Sequence, residues 1–240
     1  TAQGMLKTMD KYNIKPTADV FKTIVGKAPN FQNALSALEI MDRYSVKPSA
    51  EVFKTIVAKA PDFQTALGLL GTMDRYQVKP TAEVFKSIAA KAPDFQTALG
   101  LLEKIDKYKV MPTVDVFTSI AAKAPDFLMA LSLLETMDKY VFCPSAEVFK
   151  SIAAKAPDFE TALSFLETVA KYQVEPTLDL FKTIAGKAPD YQTALSLLET
   201  INDYQVTYSA ELFYTLAAKT PDFPTALSLL ETMEKYGVKP

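Results

Sequence analysis

Apolar residues return along this chain at helical spacing, in a shorter and a longer block that alternate. The stretch 81–112 shows the pattern. Val84, Phe85, Ile88 and Ala92 lie three or four apart and make one apolar stripe, with Glu83, Lys86, Ser87 and Lys91 off it. Thr81 suits the N-cap, and Glu83 puts negative charge in the first turn, so the spacing predicts a helix over 82–92. Phe95, Ala98, Leu99, Leu102 and Ile105 then hold one face, widened by Leu101, and predict a second helix over 94–108 that is buried on more than one side. Between them, Lys91-Ala92-Pro93-Asp94-Phe95 reads as an elbow. Proline disfavours helical dihedrals in the residue before it, so the first helix stops near Ala92. Lys91 suits the negative end of that helix dipole. Asp94 either caps the second helix or, with Pro93, opens it, and the sequence leaves both registers possible. Tyr108 closes the second helix, and Lys109-Val110-Met111-Pro112 turns the chain back.

The elbow recurs at 27–31, 59–63, 123–127, 155–159, 187–191 and 219–223, each copy 32 residues after the last. A fixed period of that size marks a solenoid built from one supersecondary unit. The units are 17–48, 49–80, 81–112, 113–144, 145–176, 177–208 and 209–240, preceded by a half unit over 1–16 whose Thr8-Met9-Asp10-Lys11-Tyr12 parallels Thr72-Met73-Asp74-Arg75-Tyr76. No linker interrupts them, so the expectation is a single array over 1–240. Each helix–turn–helix is too small to bury both of its faces, and stacking completes the core. The expected fold class is all-α, an α-solenoid of helix–turn–helix repeats.

Composition narrows the chemistry. Histidine is absent, which weighs against catalytic triads and zinc sites, and the carboxylates recur singly at repeat spacing, as capping and solvation require. We therefore expect no enzymatic activity and no cofactor. The one cysteine, Cys143, stands where other units have Lys47, Lys79 or Glu175, and cannot form a disulfide within the chain. No run of about 20 uncharged apolar residues exists to span a membrane. The chain opens without a signal-peptide pattern, and an intracellular location is the expectation, although it begins in mid-repeat and a leader could precede it.

One unit, Phe53-Lys54-Thr55-Ile56, Lys59-Ala60-Pro61, Ala66-Leu67 and Met73-Asp74-Arg75-Tyr76-Gln77-Val78-Lys79-Pro80, resembles the pentatricopeptide repeat. That family belongs with the tetratricopeptide repeats and runs from an aromatic and Thr-Leu-Ile, through Lys-Ala-Gly and Ala-Leu, to Met-x-x-x-Gly-Ile-x-Pro. The resemblance covers the whole chain and implies a right-handed superhelix. The family's unit is about 35 residues, and the three missing here fall in the first helix. Its members usually read single-stranded RNA one base per unit, through the residue after the first-helix aromatic and the residue after the closing proline. Here the first position holds Lys22, Lys54, Lys86, Thr118, Lys150, Lys182 and Tyr214. The second holds Thr17, Ser49, Thr81, Thr113, Ser145, Thr177 and Ser209. The family's usual pairing of an amide or hydroxyl with Asp or Asn is absent, and lysine suits a phosphate or carboxylate better than a base edge.

These two rows are the candidate ligand-binding face. The simpler reading is a solvated face on which each lysine pairs with the acid three before it, as Glu51 with Lys54. The tyrosines Tyr12, Tyr44, Tyr76, Tyr108, Tyr140, Tyr172, Tyr204 and Tyr236 are a candidate stacking ladder, against the simpler reading that they pack. Charge divides unevenly: residues 1–112 carry 16 Lys/Arg and 11 Asp/Glu, a net of +5, and residues 113–240 carry 10 and 17, a net of −7. The expectation is a scaffold binding an extended ligand, single-stranded RNA by resemblance. The alternatives are a structural protein stacking head to tail with other copies of itself, or a tetratricopeptide-type protein-interaction scaffold. The stacking alternative expects Leu229 and Met233 at one end, and Met5 and Met9 at the other, to lack a covering neighbour.

Overall fold

The structure, a computed structural model, describes Thr8, Met9, Lys11, Tyr12 and residues 14–239. It is all-α, with fourteen helices and no strand among the described residues. Two compact units divide the chain, Thr1–Lys123 and Ala124–Pro240, the division falling inside the repeat 113–144. Met5 and Asp10, named in the sequence reading, lie outside the described residues.

The first unit holds α1 (Ala18–Gly26), α2 (Phe31–Arg43), α3 (Ala50–Lys59), α4 (Phe63–Arg75), α5 (Ala82–Ala89), α6 (Phe95–Lys107) and α7 (Val114–Ala122). Short helices alternate with 13-residue ones. Each short helix packs on the next short helix, α1 on α3, α3 on α5 and α5 on α7. α3 and α5 also pack on the long helices before and after them, as α5 does on α4 and α6. The short helices are therefore the inner layer, and they carry the largest fully buried side chains: Phe21, Phe53, Phe85 and Phe117 are 0% exposed.

The second unit holds α8 (Phe127–Lys139), α9 (Ala146–Ala153), α10 (Phe159–Lys171), α11 (Leu178–Gly186), α12 (Tyr191–Asp203), α13 (Ala210–Ala217) and α14 (Phe223–Lys235). The same scheme holds: α9 packs on α11 and α11 on α13, with the long helices outside.

Local chemistry fixes both ends of each element. Of the two elbow registers, Asp94 is the N-cap of α6, its carboxylate accepting from the Thr97 N–H at 2.8 Å. Asp62, Asp126, Asp158, Asp190 and Asp222 repeat this, with Asn30 in the first copy. These backbone and hydroxyl donations hold the Asp62, Asp94, Asp158, Asp190 and Asp222 carboxyls below the usual carboxylate range. Helix α5 ends at Ala89, three residues short of the expectation, because the segment before Pro93 has to unwind. Its stripe still extends beyond the helix, since Ala92 is buried. In α6 the buried set is Phe95, Ala98, Leu101, Leu102 and Ile105; Leu99, expected on that face, is only half-buried.

Each long helix closes in a Schellman turn. Tyr76 is the C-cap of α4, Gln77 follows at φ 54°, and the Val78 N–H reaches back to the Met73 carbonyl at 2.9 Å. Ser45, Lys109, Val141, Gln173 and Gln205 adopt the same left-handed conformation, and only Gly237 meets it with glycine.

The elbow lysines do more than favour their own helix dipole. Lys59 Nζ donates to the Ala28 carbonyl at 2.8 Å and Lys91 Nζ to the Ala60 carbonyl at 2.6 Å. In the second unit Lys187 reaches Ala156 and Lys219 reaches Ala188. Each amine ties its elbow to the preceding one and satisfies a carbonyl just past the end of a short helix.

Candidate functional site

The first candidate row lies one residue past each deeply buried phenylalanine, so its side chains leave the core at one repeated position of the short helices. In the first unit Lys22 Nζ lies 3.6 Å from Glu51, Lys54 3.2 Å from Glu83 and Lys86 2.7 Å from Asp115. In the second unit Lys150 lies 3.2 Å from Asp179, and Lys182 bridges Asp179 at 2.6 Å and Glu211 at 2.5 Å. The pairing expected within a helix, Glu51 with Lys54, therefore does not form. Side-by-side stacking of the short helices brings the first-turn acid of the next repeat to the lysine instead. The intrahelical form occurs among the described pairs at Lys182–Asp179 alone.

These pairs are open to water: Lys22 and Glu51 are about half exposed, and Lys182, at 24%, is the least exposed lysine of the row. The Asp115 hydrogen bond raises the Lys86 ammonium, and Asp179 with Glu211 raises that of Lys182. Lys182 and Lys150 in turn lower the Asp179 carboxyl. The row is thus an ion-pair ladder with a carboxylate at each of its five lysines, and not a plain basic stripe. Two rungs depart from it. Thr118 donates its hydroxyl to the Val114 carbonyl of its own helix, and Tyr214 is 65% exposed.

The second row sits at the N-caps of the short helices. Ser49 and Thr177 accept from the N–H three residues on, each at 3.4 Å. The Thr17, Thr81, Thr113, Ser145 and Ser209 hydroxyls do not cap. Thr17, Ser49 and Thr81 are exposed, whereas the oxygens of Thr113, Ser145 and Ser209 are buried without a partner among the described residues.

The tyrosines pack. Phe53 and Tyr76 ring centroids lie 5.9 Å apart, Phe85 and Tyr108 6.0 Å, and Phe149 and Tyr172 5.7 Å. The hydroxyls then cross to the preceding long helix: Tyr76 donates to Asp42 at 2.7 Å, Tyr108 to Asp74 at 2.7 Å and Tyr172 to Asp138 at 2.9 Å. Burial, then the hydrogen bond to the carboxylate, pushes these three phenols up to about 12. No group of three or more His, Cys, Asp or Glu positioned to hold a metal occurs among the described residues, and no described helix is long and apolar enough to cross a membrane.

With hairpins of this length, stacked through their first helices, the chain superposes on a crystal structure of the pentatricopeptide repeat protein PPR10 from maize. The TM-score is 0.67 at 20% identity, covering 99% of this chain and 37% of that one. The fold is that of the pentatricopeptide-repeat proteins. A second structure, PPR10 in complex with an 18-nt psaJ RNA element, matches with a TM-score of 0.62 at 17% identity, over 100% of this chain and 37% of that one. The chain therefore spans little more than a third of the length of those structures. No protein-family model and no curated protein matches the sequence.

The sequence reading missed one departure that bears on the site. Tyr208 stands where six other repeats have a buried proline, Pro16, Pro48, Pro80, Pro112, Pro144 and Pro176. Aligning the repeats at the closing position reveals it.

Proposed function

We propose that this pentatricopeptide array is a scaffold that holds an extended single-stranded ligand, RNA, along the short helices of its first unit. The observation that carries the reading is the row Lys22, Lys54 and Lys86, set at one repeat per step, partly exposed and held in fixed position by carboxylates. Exposed Thr17, Ser49 and Thr81 stand at the adjoining helix starts. The fold supports the same reading, since PPR10 was crystallised with RNA bound.

Lysine ammonium groups contact phosphate oxygens, which position a strand without reading its sequence. A phosphate would take the place that the next repeat's carboxylate occupies. The near-identical rungs give no means of distinguishing one base from the next, so the array holds a strand by its backbone. The test is fluorescence anisotropy of labelled oligouridine and oligoadenosine across a salt series. K22A/K54A/K86A is expected to weaken both alike and to flatten the salt dependence by up to about one unit of slope per lost contact. No binding by the unaltered chain at low salt rules the reading out.

A second reading, head-to-tail stacking with another copy, rests on the exposed apolar side chains of α14. Leu229 and Met233, expected to be uncovered, are buried against their own hairpin at 2% and 4%. The open positions are Phe223 at 75%, Leu227 at 47% and Leu230 at 44%, whereas Phe95 and Leu102, the counterparts of Phe223 and Leu230, are each 3% exposed beneath a following repeat. Covering that face would bury Phe223 and Leu230 and half-bury Leu227, as Leu99 is, and sedimentation at rising concentration tests whether a second copy does so. F223E/L230E would then keep the chain monomeric, and a monomer at every concentration without these changes rules the stacking out.

A further inference from the structure

The turn that ends with Tyr208 lines a crevice about twice the size of its counterpart four repeats earlier. That earlier space, between the turn that closes the repeat 49–80 and Tyr108 of the next, and bounded by Asp74, Lys79 and Pro80, is about 290 Å³. Between the turn 202–210 and the turn 236–239 it is about 570 Å³. Three coordinated changes accompany the difference. Lys79 crosses its space to reach the Lys109 carbonyl at 3.4 Å, and Thr207 takes that position here. Asp74 accepts the Tyr108 hydroxyl at 2.7 Å, and Asn202 replaces it. Pro80 gives way to Tyr208.

The changes leave unused polar groups beside an aromatic wall. Tyr208 and Tyr236 ring centroids lie 4.5 Å apart, and the Tyr208 hydroxyl is committed to the Leu198 carbonyl at 3.0 Å. No hydrogen bond holds the Tyr236 hydroxyl or the Asn202 side chain among the described residues, and Ser209 Oγ on the same wall is buried without a partner. The one charged residue lining the space is Lys239, which is exposed. A space of this size, with aromatic walls and a few convergent uncharged groups, is of the kind that takes a small molecule. A carboxamide offers a donor and an acceptor side by side, which matches the edge of a heteroaromatic ring presenting the complementary pair. Aromatic faces add stacking that tolerates any flat π-system.

We propose that this crevice binds an uncharged planar heteroaromatic molecule with adjacent donor and acceptor atoms, a purine-type base. It shares Ser209 with the candidate rows but none of its other polar groups. It does not depend on the lysines of the first unit.

The probe is free adenine, titrated into the full chain and followed by ligand-observed NMR and tyrosine fluorescence. The expected result is saturable binding at about 1 mM or tighter. The double substitution N202D/T207K places at these positions the residues of the repeat 49–80, Asp74 and Lys79, which the fold already accommodates, and is expected to weaken adenine at least about tenfold. Circular dichroism confirms that the variant folds. Y236F, which keeps the ring and removes the hydroxyl, is expected to weaken binding by a smaller factor. K22A/K54A/K86A is expected to leave adenine binding unchanged, which separates this proposal from strand binding. Absence of saturable binding, or equal binding by a folded N202D/T207K, overturns the proposal.

Discussion

Val141 shows most directly where single residues work against the repeat. It follows the C-cap of α8 at φ 51°, in the left-handed region, with 94% of its surface exposed. Its N–H bonds the Asp138 carbonyl at 2.9 Å and that of Phe142 bonds Met137 at 3.0 Å, so the Schellman turn forms in spite of the side chain. A β-branched residue there brings Cβ against backbone and gains no packing. V141G is therefore expected to stabilise the chain by about 1 kcal/mol, read as a rise in the midpoint of urea unfolding. Gly237 shows that the same turn accepts glycine. A fall in the midpoint would mean that the unfolded chain's gain in freedom outweighs the strain relieved.

At the scale of the helical hairpin, two lysines of one repeat have different work. Lys91 is half-buried and donates to the Ala60 carbonyl at 2.6 Å, whereas Lys86 makes a water-exposed pair with Asp115. Removing Lys91 leaves a carbonyl at the end of α3 without its donor, at a cost of about 1–2 kcal/mol. Removing Lys86 costs under about 0.5 kcal/mol, because exposed pairs contribute little. Chemical denaturation of K91M and K86M, which keep the apolar stems, is expected to show that order. The tyrosine rungs give a pH dependence of definite sign. Tyr76, Tyr108 and Tyr172 ionise at about 12 in the folded chain, above the ordinary phenol value of 10.0. The folded state holds these protons more tightly, so their contribution is intact below 10, falls as pH rises, and is lost on passing 12. Y76F/Y108F/Y172F is expected to lose less stability across that window than the unaltered chain, checked by thermal melts at a series of alkaline pH values. The hairpins themselves were legible because apolar period, proline and N-cap coincide in every copy. The partners of Lys86, Lys91 and Tyr76 were not, because they lie 29, 31 and 34 residues away, at a distance along the chain that only the stacking of repeats closes. Likewise both Leu229 with Met233, four apart, and Leu227 with Leu230, three apart, fit helical spacing, and only the packing of α14 on α13 separates buried from exposed.

On the scale of the whole molecule, charge decides what the candidate face can hold. The residues up to 112 carry a net of +5, yet each lysine of the row in the first unit already faces a carboxylate of the next repeat. A strand that contacts Lys22, Lys54 and Lys86 must displace Glu51, Glu83 and Asp115, leaving three anions beside its phosphates. Each contact then releases less counterion than a free lysine would, because the protein's own carboxylate already neutralises part of the ammonium charge. The pairs themselves are exposed, so breaking them costs little stability. Neutralising the acids should therefore act on binding far more than on folding. E51Q/E83Q/D115N is expected to bind oligouridine at least about tenfold more tightly at low salt, with a steeper dependence on salt, because three lysines are freed and three repulsive charges removed. Its unfolding midpoint is expected to fall slightly, since the acids also favour the helix N-termini in whose first turns they sit. Anisotropy titrations at several salt concentrations, set beside denaturation of the same variant, measure both. Unchanged affinity with a folded variant would place the strand away from the lysine row, and weaker affinity would mean that the carboxylates themselves hold the ligand.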